Sequence, residues 1–312
     1  DISRYTASSQ KDEYLLKIME CVAKLYRVFC NDFGGKDIID AERIANELNN
    51  DILLAHVYKC ADLMPYCPKN EKITLYEKAV EIFTRNKMED HAVYCKNNIL
   101  IEQFYTDYIS TGEFKALFDE TINNVPGMVG LTHICNNVGV AYLYCGKAYE
   151  AIKYFDLGIE YAKKQDRIVQ MLALESNKMI AECYNFSTIE EKRMHILMRQ
   201  IFDGMGINKL PFLSADYALN VLAVAYRQNS QLGYELINTY PIKELVNESF
   251  KKNLLCASER ILQLQYLAAH YGNLCPLINV CKIPHIENTA VGKRKNFIEK
   301  YGFNVFDFST WM

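Results

Sequence analysis

Cys135-Asn-Asn-Val-Gly-Val-Ala-Tyr-Leu-Tyr-Cys-Gly-Lys-Ala-Tyr-Glu-Ala-Ile-Lys-Tyr-Phe-Asp-Leu-Gly-Ile-Glu-Tyr-Ala162 carries two apolar stripes at helical spacing, one on each side of Gly146. Val138 and Tyr142 mark the first stripe; Ile152, Phe155 and Ile159 mark the second. Small residues (Gly139, Ala141, Ala151 and Gly158) stand where two helix backbones have to approach each other. The pattern predicts two short amphipathic helices folded together across a glycine turn.

Outward from this hairpin the same grammar continues. Gly112 precedes Gly146 by 34 residues, and in that register Tyr108 matches Tyr142 and Leu117 matches Ala151. Helical spacing predicts helices over 89–110 and 113–123, the second closed by Pro126-Gly127. Helices 167–186 and 188–203 form a longer hairpin, ended by Gly204-Met-Gly206. Helices 214–228 and 230–238 follow, with Leu222, Ala225 and Tyr226 repeating Val138, Ala141 and Tyr142. On the N-terminal side the expected helices are 10–31, 38–48, 52–63 and 71–85, with a loop at Pro65 and Pro68. Beyond Pro241 a long helix is expected over about 243–271. Then Pro276, Pro284, Gly292 and Gly302 chop the chain among Phe297, Tyr301, Phe303, Phe306, Phe308 and Trp311, as an irregular cap would require. The organisation predicted is an all-α array in three parts: an N-terminal helical segment (1–88), repeated hairpins (89–240), and a long helix with an aromatic cap (241–312).

Composition agrees and excludes several classes. Half of the 312 residues are apolar, enough for a large interior, while 14 Gly and 7 Pro suit helices better than a β-sandwich. Lys+Arg (35) nearly balance Asp+Glu (38), so the basic excess of a nucleic-acid binder is missing. Eleven cysteines, an odd number without paired spacing, predict reduced thiols and a cytoplasmic protein. No apolar run is long enough to span a membrane, and the start at Asp1 shows no leader; it predicts a piece of a longer protein.

Motifs for chemistry are sparse. Gly292-Lys293 lacks the upstream glycine of a phosphate loop, and neither G-x-G-x-x-G nor G-x-S-x-G occurs. His270, Cys275, Cys281 and His285 fall within 16 residues but without C-x2-4-C spacing, so packed thiols and solvated imidazoles compete with a zinc site there. No Cys or Ser stands beside a His in a nucleophile signature. The basic run Gly292-Lys-Arg-Lys295 reads as a solvated helix start. No cofactor, metal or catalytic residue is expected, and no enzyme activity.

The 135–162 hairpin resembles a tetratricopeptide repeat, whose hairpins stack into an α-α superhelical solenoid. The resemblance is strong over 132–165, looser over 90–123 and 167–228, and absent after about 275. It departs from the family where Cys135 replaces an aromatic residue and where Tyr149 takes a shifted aromatic position. It implies a binding groove lined by the first helix of each hairpin. With Tyr108, Tyr142, Tyr184 and Tyr226 setting the register, groove positions are Glu102, Gln103 and Ser110, then His133, Asn136, Asn137 and Tyr144. Lys178, Glu182 and Asn185 follow in the third hairpin, and Tyr217, Asn220, Arg227 and Gln228 in the fourth. Asn and Gln both donate and accept, so a row of them can hold an extended peptide backbone whatever its side chains. The same residues also fit a merely wet helix face. Asn97, Asn137 and Asn177 recur every 40 residues, but the tyrosine register sets them on different faces.

Irregular arrays of this kind are similar to the C-terminal sensors of bacterial STAND-type antiviral NTPases, which implies a protein ligand such as a phage protein. They are also similar to peptide-pheromone receptors of Gram-positive bacteria and their phages, which implies a short peptide. Neither relation implies nucleic acid or membrane as partner; self-association is compatible with both.

Overall fold

The structure, a computed structural model, describes residues 9–29, 35–61, 64, 67–106, 111–124, 130–185, 187–209 and 211–245. Helices follow one another along these residues: α1 (Gln10–Phe29), α2 (Gly35–Glu47), α3 (Asp51–Tyr58), α4 (Lys69–Arg85), α5 (Glu89–Thr106) and α6 (Thr111–Asn124). Then come α7 (Leu131–Tyr144), α8 (Ala148–Lys164), α9 (Ile168–Tyr184), α10 (Glu191–Lys209), α11 (Pro211–Gln228) and α12 (Ser230–Thr239). No strand occurs among the described residues. The fold is all-α and built of helical hairpins, as the sequence predicts. The aromatic cap, nearly all of the 243–271 helix, and His270, Cys275, Cys281 and His285 lie outside the described residues.

One type of turn closes helices again and again. Lys147 N–H bonds Tyr142 O (2.9 Å) at the end of α7, and Arg167 N–H bonds Ala162 O (2.9 Å) at the end of α8. Met88 N–H bonds Phe83 O (2.8 Å) after α4, and Asn50 N–H bonds Ala45 O (3.1 Å) after α2. Each bond reaches back five residues across one left-handed residue: Gly146 (φ 74°), Asp166 (φ 52°), Lys87 (φ 57°) or Asn49 (φ 45°). This satisfies the last carbonyls of the helix and reverses the chain. Only Gly146 adopts that conformation without steric cost. Asn50 then opens α3, its side-chain oxygen accepting from Leu53 N–H at 3.0 Å.

The expected stop at Gly204-Met-Gly206 is not there: α10 continues through both glycines to Lys209, and Pro211 opens α11. A helical glycine costs about 1 kcal/mol relative to alanine, which neighbouring residues can carry; a proline removes a hydrogen bond and does end the run.

The chain divides into two compact units, Asp1–Ile109 with Asp119–Gly130, and Ser110–Phe118 with Leu131–Met312. In the first, α1, α2 and α3 share a core of Cys21, Leu25, Ile38, Ala41, Ile44, Ala45, Leu53, Val57 and Cys60. The other side of α3 (Ala55) joins Tyr76, Ala79 and Phe83 of α4 with Ala92 and Cys95 of α5. Because α3 is buried on two sides, α1 and α2 pack with α4 and α5 through it into one unit.

In the second unit α8 packs on α7 and α9, α10 on α9 and α11, and α12 on α11, while α7, α9 and α11 lie side by side. Small residues permit the close approaches. A Cβ on Gly139 would stand 2.5 Å from Phe155 Cε1, and one on Gly158 would stand 2.8 Å from Leu174 Cδ2 and 2.9 Å from Cys135 Cβ. Tyr142 stacks on Tyr154 with centroids 5.5 Å apart, and Phe118 meets Tyr154 edge-on at 5.4 Å. The first helices of three hairpins thus form one row.

Candidate functional site

That row carries a chain of side-chain amides. Asn220 of α11 donates from Nδ2 to Asn177 Oδ1 of α9 at 3.0 Å. Asn177 in turn donates to Asn136 Oδ1 of α7 at 2.9 Å. Asn136 donates to its neighbour Asn137 Oδ1 at 3.4 Å. All three bonds are donated in the same sense, two stepping from α11 through α9 to α7 and the last lying within α7, so each bond polarises the next. The chain is anchored at its α11 end. Asn220 is 0 % exposed and also donates to Ser176 Oγ at 3.4 Å, while Ser176 bonds Ala173 O at 2.9 Å. At the other end Asn136, Asn137 and Asn177 are half-buried. Among the described residues, Asn136 and Asn177 each keep a second amide hydrogen and a second oxygen lone pair outside the chain.

The sequence expectation meets this arrangement in part. His133 lies one turn before Asn137 on α7, and Tyr217 lies one turn before Asn220 and Val221 on α11; both are half-buried. Asn220, expected to line an open groove, is a buried support instead. Tyr144 closes α7, and its side chain lies outside the described residues, as does Ser110. Asn185 is exposed and caps α9, its N–H bonded to Ala181 O at 2.9 Å. Glu102 is 3.9 Å from Lys72 in the first unit, where Gln103 is half-buried.

Lys178 and Glu182 turn away from the amide chain towards the second helices. Lys178 Nζ pairs with Asp156 of α8 at 2.6 Å and with Glu182 at 3.4 Å. Arg193 of α10 bonds Glu182 and reaches Glu175 at 3.1 Å. Burial is the largest single influence on Lys178 and Arg193 and works against their charges. The hydrogen bonds they donate to Asp156 and to Glu182 and Glu175, together with the attraction of these carboxylates, outweigh it and hold both pKa values above the ordinary ones. The network ties three helices together. Gln228 is likewise structural: Oε1 accepts from Ile189 N–H at 3.0 Å and Nε2 donates to Ile189 O at 3.3 Å, holding the stretch before α10. Arg227 reaches the Cys183 thiol.

Asn177 was missed because α9 is out of register by one. Tyr142 and Tyr226 stand six residues beyond their chain asparagines, Asn136 and Asn220, whereas Tyr184 stands seven beyond Asn177. A tyrosine register therefore selects Lys178. The recurrence of asparagine at 136, 177 and 220 was the available signal.

Burial pushes the Cys135 thiol up to about 12 and those of Cys21 and Cys183 to about 11, so these sulfurs act as packing atoms near neutral pH. In the first unit, His56 and His91 meet edge-on at 4.7 Å and Lys59 Nζ stands 3.1 Å from His91 Nδ1. Among the described residues no group of three His, Cys, Asp or Glu could hold a metal ion, and no helix is long and apolar enough to cross a membrane. No family model, no curated protein and no solved structure matches this chain.

Proposed function

We propose that the chain is a recognition module that holds an extended peptide, or an extended segment of a protein, across the first-helix row of α7, α9 and α11. The observation that carries this reading is the one-way amide chain Asn220–Asn177–Asn136–Asn137. Its buried end fixes the amides in place, and its half-buried Asn136 and Asn177 keep donors and acceptors for a guest. Preorganised groups of this kind lose little entropy on binding. They are neutral and carry both donor and acceptor, so they match the alternating N–H and C=O of an extended backbone.

This chemistry favours a peptide over a folded protein surface. Folded proteins have already paired most of their backbone groups, whereas an extended segment offers them unpaired. Of the two ligand kinds raised by the sequence, the peptide of a pheromone-type receptor suits the amide row better than a folded phage protein. His133 and Tyr217 lie where side chains of the guest would fall, and they are the candidates for selectivity.

The test is selection of a random peptide display library on the immobilised chain, followed by fluorescence anisotropy with the selected peptides. Selected peptides should bind Asn136→Ala/Asn137→Ala at least tenfold more weakly than the unmodified chain, about 1.4 kcal/mol. Both residues are half-buried and near the open end of the chain, so the fold should survive the change. Equal affinity for the double variant would remove the amide row from recognition.

A further inference from the structure

We propose that Lys59 is a nucleophilic amine that captures small aldehydes as an imine, with His91 as its proton carrier; this inference is independent of the recognition reading. Lys59 caps the end of α3, where its own N–H bonds Ala55 O at 2.9 Å. The side chain is half-buried. Its Nζ stands 3.1 Å from Nδ1 of His91 on α5 and 4.5 Å from the centre of the Tyr94 ring. Among the described residues no carboxylate pairs with it, and Asp90 acts from beyond ion-pair distance. Lys24, Lys72, Lys96 and Lys178 are half-buried too, but each of them holds a carboxylate.

An ammonium placed there gives up water without gaining an anion, so its surroundings favour the neutral amine. The ring face of Tyr94 returns part of that loss. Burial accordingly lowers the Lys59 pKa, against the raising influence of Cys95, Cys60 and Asp90. The imidazoles of the cluster are held neutral near pH 7. Burial and then Lys59 lower the His91 pKa, with Asp90 opposing, while burial, His91 and Lys59 push His56 down to about 4. Phe83 of α4 packs against both rings with centroids 5.0 Å away. A neutral His91 with its proton on Nε2 presents the Nδ1 lone pair to the amine. A desolvated amine with a proton acceptor in hydrogen-bond reach is the arrangement of an activated nucleophile.

The matching partner is an electrophilic carbonyl. The Nζ lone pair forms a C–N bond to the aldehyde carbon, and the carbonyl electron pair moves onto oxygen. Two protons leave Nζ in turn and reach that oxygen by way of His91 Nδ1. The oxygen departs as water when C=N forms, so amine and aldehyde give imine and water with no oxidant or reductant. Lys59, His56, His91 and Tyr94 are all half-buried, which limits the aldehyde to a small one.

Propanal labelling of the full chain from about pH 7 to about pH 11 provides the test, each sample trapped by a pulse of borohydride. Peptide mass spectrometry then reads the propyl label on each lysine. The free-amine fraction of an ordinary lysine falls about tenfold per pH unit below about 10.4. Lys59 should therefore carry at least about fivefold more label than the exposed Lys87 and Lys163 at about pH 7, and lose that lead near pH 11. His91→Phe keeps a ring against Phe83 and His56 but removes Nδ1. It should slow labelling of Lys59 about tenfold and leave Lys87 and Lys163 as they were. The pH series needs no substitution, so it stands whether or not the variant folds. A Lys59 labelled no faster than the two references at neutral pH, or by a ratio that ignores pH, overturns the proposal. Unchanged labelling of Lys59 in folded His91→Phe also overturns it, because the amine would then act without its proton carrier.

Discussion

Replacing Asn177 by leucine tests the amide chain at its most sensitive link. Leucine conserves the volume but removes both the acceptor for Asn220 and the donor to Asn136, bonds of 3.0 and 2.9 Å. The two losses are unequal. Asn136 is half-buried, so water can replace the lost donor at a cost of about 0.5–1 kcal/mol. Asn220 is 0 % exposed, so the N–H that Asn177 accepted stays dry, which costs about 1–3 kcal/mol. The sum is about 1.5–4 kcal/mol, with the larger share on the α11 side. Asn136→Leu should cost less, about 1 kcal/mol or under, because the donor it strands on Asn177 is half exposed to water. Replacing both members of the buried link, Asn177→Leu/Asn220→Leu, should recover at least about 1 kcal/mol against the sum of the single changes. Because the chain divides into two units, a global unfolding curve would mix them. Native-state hydrogen exchange on peptides from α9 and α11 reads the local opening free energy instead. Additive costs in the double variant, or a larger cost at Asn136 than at Asn177, would refute the reasoning.

Other consequences are equally concrete. Gly158→Ala adds a methyl 2.8 Å from Leu174 Cδ2 and 2.9 Å from Cys135 Cβ; overpacking should outweigh the roughly 1 kcal/mol gain in helix propensity and leave α8 and α9 about 1–2 kcal/mol less protected in exchange. Lys87→Gly should stabilise the first unit by about 1 kcal/mol in the same measurement, since Lys87 holds a left-handed φ of 57°. Acid should loosen that unit before general acid denaturation. Burial, then the neighbouring His91 and Lys59, push the His56 pKa down to about 4, and His91 is lowered by burial and Lys59 with Asp90 opposing. Lys59 is itself lowered by burial, against the opposing influence of Cys95, Cys60 and Asp90. The unfolded chain therefore takes up protons first, so stability is complete above about pH 6.5 and falls by at most about 3 kcal/mol towards pH 4. His56→Phe should flatten that slope; an unaltered slope would exclude the cluster as its source.

The hairpin at Gly146 announces itself in the sequence because glycine is the residue that a left-handed turn prefers. The same turn recurs at Asn49, Lys87 and Asp166, where side chains tolerate the strain and leave a weaker signal. Helix positions were legible all the same, since periodicity depends on many residues and a turn on one. Glycine misled at Gly204 and Gly206, where helix continuity is worth more than local propensity. The site was half legible. Asparagines at 136, 137 and 220 stand out by type, but which of them faces solvent depends on how α9 rotates between its neighbours. A one-residue shift between Asn177 and Tyr184 carries Lys178 and Glu182 into an ion network with Asp156 and Arg193. That rotation is decided by packing at Gly158 and Leu174, contacts between helices that spacing along one helix does not contain.

Backbone N-methylation of a selected peptide, one residue at a time, tests most directly whether the amide row reads a main chain. If Asn136, Asn137 and Asn177 grip the backbone, methylation at the central positions should weaken binding at least tenfold, and that loss should shrink in Asn136→Ala/Asn137→Ala. A peptide whose affinity ignores N-methylation and follows its side chains alone would contradict recognition through the amide chain.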